Sequence, residues 1–210
     1  MRFSDREQAA TRLALRLASY RGQHPLVLAI PRGAVPMAEL IADQLEGELD
    51  VVLVRKLGAP FQPELAIGAI DESGWAYISD VARLAGASTE YIEQEKRAQL
   101  ELLHQRRQRY SGLAASADPA GRVVIVVDDG LATGATMIAA LRAIRTKQPA
   151  KLVCAVPVAP PDTLEQVSSY ADDMVCLETP LNFSAVGQFY EHFPQVSDEE
   201  VVEILEKQRH

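Results

Sequence analysis

The run Val123-Val124-Ile125-Val126-Val127-Asp128-Asp129-Gly130-Leu131-Ala132-Thr133-Gly134-Ala135-Thr136 sets two adjacent carboxylates at the end of a β-branched run, then a loop of small residues. A buried strand that ends in such a loop and opens a helix makes a cradle for a sugar phosphate. The free amides of a helix N-terminus point outward and carry partial positive charge, Gly134 lets the backbone approach an anion, and Thr133 and Thr136 add hydroxyl donors. Asp128 and Asp129 can accept hydrogen bonds from neighbouring ribose hydroxyls and can help hold magnesium through its water. Two other phosphate motifs are excluded. No Gly-Lys-Ser/Thr follows, and glycines at 130 and 134 alone do not make the dinucleotide spacing.

Two further segments have a related build. Leu28-Ala29-Ile30-Pro31-Arg32-Gly33-Ala34-Val35-Pro36 is again an apolar run ending in a tight loop before a helix. Val54-Arg55-Lys56-Leu57-Gly58-Ala59-Pro60, continuing into Phe61-Gln62-Pro63-Glu64, puts a basic pair at a strand end ahead of a Gly- and Pro-rich stretch. That pair is either a solvated strand end or the base of a lid. With few backbone ladder bonds available around Gly58, Pro60 and Pro63, the stretch from Leu57 to Gln62 is expected to be mobile.

The string from Val123 to Thr136 resembles the phosphoribosyl pyrophosphate signature of type I phosphoribosyltransferases, in which four apolar residues, two acidic residues and a Thr-Gly-x-Thr turn follow one another. The likeness extends over about residues 22 to 180 and is close to small bacterial members of unassigned acceptor. It implies transfer of a 5-phosphoribosyl group from phosphoribosyl pyrophosphate to a nitrogenous base or related nitrogen nucleophile, with Mg2+ as cofactor and diphosphate released. The segment Pro31, Arg32, Gly33 and Ala34 resembles the family's pyrophosphate loop. There the resemblance implies backbone amides turned to the departing diphosphate through a non-proline cis peptide, with Arg32 adding a fork of donors. Ala34 stands where the family often has a second glycine. The segment from Val54 resembles the start of the catalytic loop of adenine-type enzymes, which implies that Lys56, with Arg55 beside it, neutralises the leaving diphosphate and that Glu64 carries a proton. The implied catalytic set is Lys56, Arg55, Asp128 and Asp129. A rival from another class is a regulator that binds phosphoribosyl pyrophosphate without turnover. The sequence has no helix-turn-helix pattern or basic face for a nucleic-acid-binding regulator, and no Asp-x-Asp for a receiver or phosphatase.

The elements that must hold these loops can be read from periodicity. Leu26 to Ile30, Val51 to Val54, Val123 to Val127, Leu152 to Val156 and Met174 to Leu177 read as strands, and Met37 to Leu45, Ala135 to Lys147 and Asp162 to Tyr170 as helices between them. Near-continuous Val and Ile runs alternating with helices predict an α/β fold with a doubly wound, mainly parallel sheet and ligands beyond the carboxyl ends of its strands. Leu65 to Ile70 and Trp75 to Ile78 flank the turn Asp71-Glu72-Ser73-Gly74 and read as a projecting hairpin. Ser88 or Thr89 caps a charged helix to about Tyr110 in which Glu93 and Arg97 form an i, i+4 pair. One domain is expected over 1–210: a docking helix in 1–21 entered through the capping box Ser4-Asp5-Arg6-Glu7, a core over 22–178, and a small hood with a terminal helix over 179–210. In the hood, Asn182 and Gln188 could read the edge of an acceptor ring and Phe183 or Phe189 could stack on it, or these aromatics pack the terminal helix.

At 210 residues, 48% hydrophobic and 24% charged, the chain can bury roughly 70% of its unfolded surface as one domain. A net charge of -8 excludes a general nucleic-acid or anionic-membrane surface. Lys96, Arg97, Arg106, Arg107 and Arg109 alternate with Glu93, Glu95 and Glu101, the pattern of a solvated or subunit-contacting helix and not of an RNA-binding stripe. Cys154 and Cys176 lack metal or disulfide spacing, and no apolar run approaches the ~20 residues of a membrane span. The expected setting is cytoplasmic, as a homodimer.

Overall fold

Val124 to Val127 are all fully buried, as a strand covered on both faces requires. The computed structural model describes residues 2–111 and 116–208, so residues 1, 112–115, 209 and 210 of the expected 1–210 domain lie outside it. In chain order the first half holds α1 (Arg6–Arg16), β1 (Leu26–Ala29), α2 (Val35–Leu45), β2 (Glu48–Val51), β3 (Val54–Ala59), β4 (Gln62–Asp71), β5 (Ala76–Ile78), α3 (Val81–Leu84) and α4 (Thr89–Ser111). The second half holds β6 (Val123–Val127), α5 (Ala135–Arg145), β7 (Lys151–Val158), α6 (Pro161–Ser168), β8 (Asp173–Glu178) and α7 (Asp198–Lys207). Among the described residues no helix is long and apolar enough to cross a membrane.

The main sheet runs β2-β1-β6-β7-β8 and is parallel throughout, so the expected doubly wound sheet is present. Side chains alternate between its two faces. Val27, Ala29, Ile125 and Val127 join a core with Leu13 and Leu17 of the N-terminal segment, Ile41 of α2 and Val201 of α7. Leu26, Leu28, Val124 and Val126 face Met137, Leu141 and Ile144 of α5 and Val167 of α6. The strand order turns back between β1 and β6. Loops leaving the carboxyl ends of these two neighbours head to opposite faces and leave a crevice between them.

The stretch Val51 to Val54 is not one strand. Strand β2 ends at Val51, and Val52 and Leu53 carry the chain out to β3, which belongs to a separate antiparallel sheet ordered β3-β4-β5. The expected hairpin after Leu65 is its β4-β5 half. The stretch from Leu57 to Gln62 is itself a paired hairpin, with a bulge around Gly58 and a turn at Phe61, whose φ is +62° and whose ring is fully exposed. Helix α4 supplies hydrogen bonds that the local sequence lacks: the Gly58 amide donates to Glu95 at 3.2 Å, and the Tyr91 hydroxyl donates to the Gly58 carbonyl at 2.9 Å.

Smaller differences have equally local causes. Asp5, not Ser4, caps α1 by accepting from the Gln8 amide at 2.8 Å, while the Gln8 side chain accepts from the Ser4 amide. Ser88 caps α4 through the Tyr91 amide. Glu93 pairs with Lys96 at 2.9 Å, and the Arg97 guanidinium donates to the Glu93 carbonyl instead. Helix α4 is also more than a solvated helix. Leu103 and Tyr110 are buried, and Arg107 is clamped by Asp50 at 2.8 Å and Glu72 at 2.5 Å while donating to the Val51 carbonyl at 2.8 Å.

That clamp joins α4 to the point where β2 leaves the main sheet. Asp50 is only 5% exposed, so losing its cation would strand a buried charge. Arg107→Leu is expected to lower stability by about 3–5 kcal/mol, against about 0.5 kcal/mol or less for the exposed Arg97→Leu. Urea unfolding of the two variants measures the difference.

Candidate active site

Strand β6 delivers Asp128 and Asp129 to the crevice, and the loop that follows enters α5 through Gly134, whose φ is +72°. Leu131 anchors this loop: its side chain is buried and its amide donates to the Val158 carbonyl at 2.9 Å. From behind, the Thr163 hydroxyl of α6 donates to the Ala132 carbonyl at 2.8 Å. A Cβ on Gly134 would lie 2.7 Å from Val167 and 3.0 Å from Thr163. The glycine is therefore needed for its left-handed backbone and for close packing on α6, not for the space on the anion side assigned from sequence. Gly130, Thr133, Ala135 and Thr136 line a cleft of about 240 Å³ together with Asp128 and Lys56.

The acidic pair is held by groups from distant parts of the chain. Asp128 accepts from the Asp129 amide at 2.9 Å; burial, and next the Asp129 charge, push its carboxyl well above the usual carboxylate range. Burial raises Asp129 too, and the Arg6 guanidinium opposes that rise through Nε at 3.1 Å and Nη2 at 2.9 Å. Arg6 is fixed by donation to the Pro194 carbonyl at 2.6 Å and by the Phe193 ring 3.8 Å beneath it. Phe193 stacks on Tyr190 with centroids 4.7 Å apart, and Tyr190 packs on Phe3 at 5.5 Å. The Tyr190 hydroxyl donates to the Asp129 carbonyl at 2.7 Å, and burial raises its own pKa above the ordinary phenol value. Sequence reading missed Arg6 and Tyr190 in the site. The run of aromatics after Thr179 was the only local hint of the stack.

The second loop meets the first at Asp129. The Pro31–Arg32 peptide is cis, the feature that the resemblance implied. A Cβ on Gly33 would fall 2.0 Å from Asp129 Oδ2, so only glycine lets the carboxylate lie against this loop. Ala34 is buried at the start of α2, and Arg32 lies 3.9 Å from Asp198 of α7. Arg6, Arg32, Gly33, Asp129, Phe193 and Val196 enclose a cleft of about 330 Å³. Asp128 thus faces one cleft and Asp129 the other.

The remaining sequence candidates divide. Lys56 is brought to the loop from Gly130 to Thr136. Arg55 turns toward α4 and donates to Gln99 at 2.5 Å; with Glu64 it borders a wider cleft of about 570 Å³. Gln188 is committed within the hood, accepting from the Ser184 amide at 3.0 Å and donating to the Asn182 carbonyl at 3.0 Å, and Phe183 packs on Phe189 at 5.2 Å. Among the described residues no group of three or more His, Cys, Asp or Glu is placed to hold a metal. Asp128 and Asp129, with one Asp129 oxygen engaged by Arg6, fit an ion that keeps most of its water.

The family model described as the phosphoribosyl transferase domain matches residues 3–193. Mycobacterium tuberculosis proteins of strains CDC 1551 and H37Rv, each provisionally named a phosphoribosyl transferase, are 45% identical over 206 residues, which is 98% of this chain and 46% of theirs. The chain spans about half the length of these curated relatives. The crystal structure of TT1426 from Thermus thermophilus matches with a TM-score of 0.89 at 44% identity, covering 99% of each chain. Two loops meeting at an acidic pair on a parallel sheet agree with that match, and the chain belongs to the phosphoribosyl transferase domain family.

Proposed function

We propose that this protein transfers a 5-phosphoribosyl group from phosphoribosyl pyrophosphate to a nitrogen nucleophile and releases diphosphate. The observation that carries the reading is the acidic pair set between two clefts, with an amide-lined loop and Lys56 on the Asp128 side and the Arg32–Gly33 loop on the Asp129 side. The loop from Gly130 to Thr136 takes the 5′-phosphate on its amides and hydroxyls, and the carboxylates accept from the ribose hydroxyls. Magnesium, held through water by Asp128 and Asp129, neutralises diphosphate charge when bound.

As the bond from the sugar to diphosphate lengthens, positive charge grows on the ribose and negative charge on the leaving oxygens. Lys56 and the Pro31, Arg32, Gly33 and Ala34 loop serve the leaving group, and the Asp128 carboxylate lies on the sugar side. Arg6 has a separate task. It balances one of two adjacent carboxylates, so the site does not repel a polyanionic substrate with both charges. The nucleophile attacks the sugar carbon directly, and no covalent enzyme intermediate is required.

Incubation with phosphoribosyl pyrophosphate, magnesium and a panel of purines, pyrimidines and other nitrogen nucleophiles should release diphosphate with at least one acceptor. Tight binding without release for any acceptor would instead favour a sensor of phosphoribosyl pyrophosphate. Lys56→Ala should lower kcat by about tenfold or more with a smaller change in KM, since its partner gains charge only as diphosphate departs. A pure rise in KM would remove that role.

Asp128→Asn should act in opposite directions on binding and on stability. Loss of a charge-assisted acceptor weakens phosphoribosyl pyrophosphate binding by about ten- to a hundredfold. The Asp128 carboxyl is raised in the folded state, so the folded protein keeps a proton that the unfolded chain releases. Its contribution to stability is present below the unfolded pKa of about 4 and is lost as pH rises toward the folded value. The ligand-free variant should therefore melt higher than the parent at pH 7 to 8, with the gain shrinking toward pH 4. Thermal melts across that range, paired with calorimetric titration, check both halves.

A further inference from the structure

Helix α5 starts at the phosphate loop and, two turns on, carries Arg142. The guanidinium of Arg142 lies 3.7 Å from the Tyr77 ring centroid of β5 and 4.7 Å from that of Tyr170, which follows α6. Its Nη2 donates to the Tyr170 hydroxyl at 3.0 Å, while its Nε is buried with no hydrogen-bond partner. No Asp or Glu pairs with it among the described residues. Two aromatic faces orient a cation in this way without neutralising it.

This cation borders a cleft of about 240 Å³ between the small antiparallel sheet and α5. Ala66 and Ala69 of β4 and Ile138 and Ala139 of α5 form apolar walls, and Lys56 stands at its edge. The described lining contains two cations and no carboxylate, in a chain whose net charge is -8. Such a cavity attracts an anion against the sign of the whole molecule, and its walls favour a flat apolar body. Lys56 and Ala135 also line the phosphate-loop cleft, so the two cavities adjoin.

We infer that this cleft is a second binding site, for a small ligand that carries a carboxylate or similar anionic group on a flat apolar ring. The anionic group pairs with Arg142, aided by Lys56, and the ring lies against Ile138 and the tyrosines. The site adjoins the phosphoribosyl cleft and shares Lys56 with it, but it does not depend on the reaction proposed there. A purely structural Arg142, pinning the small sheet to α5 and α6, would give the same sandwich but no selective binding of anions.

Calorimetric titration of the full chain with benzoate, and with neutral benzamide as its near-isostere, separates these readings. Benzoate should bind at least about tenfold more tightly than benzamide, with an affinity that falls as salt rises. Arg142→Met should weaken benzoate by about tenfold or more, and Ala66→Leu, which narrows the cleft from its β4 wall, should also weaken it. Asp128→Asn should leave benzoate affinity unchanged while it weakens phosphoribosyl pyrophosphate, so failure at one site is distinguishable from failure at the other. The inference is overturned if benzamide binds as well as benzoate, if folded Arg142→Met keeps the parent affinity, or if Asp128→Asn abolishes benzoate binding. Should Arg142→Met not fold, unchanged affinity in Ala66→Leu overturns it alone.

Discussion

Two adjacent carboxylates at the end of one buried strand set the central constraint of this structure. Burial raises both, and the Asp129 charge adds to the cost of ionising Asp128. The surroundings offset that cost unequally. Asp129 receives the Arg6 guanidinium, while Asp128 receives the Asp129 amide. The two carboxylates thus differ in their partners, one held by a cation and the other by a backbone amide.

Keeping Arg6 in place draws in both ends of the chain. Its helix packs on α2 and the sheet, and its guanidinium is sandwiched between Asp129 and Phe193 while Pro194 accepts from it. The aromatic stack from Phe3 through Tyr190 to Phe193 then reaches Asp129 again through the Tyr190 hydroxyl. Hood and N-terminal helix act together as one support. Gly33 completes it, because a side chain there would occupy the place of the Asp129 oxygen.

Lys56 is placed by a different route. The chain leaves the main sheet after Val51 and enters β3 of the small sheet, and α4 braces the hairpin with Glu95 and Tyr91 and the exit point with Arg107. The hairpin is therefore an arm packed on α4 and α5, with the exposed Phe61 turn as its outer end. The same arm closes the cleft around Arg142.

Much of the fold and the shape of the loop from Asp128 to Thr136 is legible along the chain, because both depend on near neighbours. The runs of Val and Ile, the turn residues between them and the Asp128 to Thr136 string are each contiguous, and strand burial and helix-terminal amides follow from local backbone geometry. Less was legible where one run served two sheets: Val51 to Val54 reads as a single strand because apolar residues do not reveal where a chain changes partners. The hairpin at Gly58 looked poor in ladder bonds because its partners come from α4, some 35 residues away. Arg6 gave no sign of its role, since its contact with Asp129 spans 123 positions and a helix-opening arginine has no pattern of its own. Gln188, attractive as a free amide in sequence, is spent on holding the hood. The parallel α/β scaffold and the strand-to-loop-to-helix run from Val123 into α5 could be read along the chain, because short-range backbone and burial preferences specify them. Which carboxylate meets a guanidinium, which basic side chain reaches the cleft and which cation lacks a carboxylate among the described residues depend on tertiary packing, because charges act through space across distances the sequence does not order.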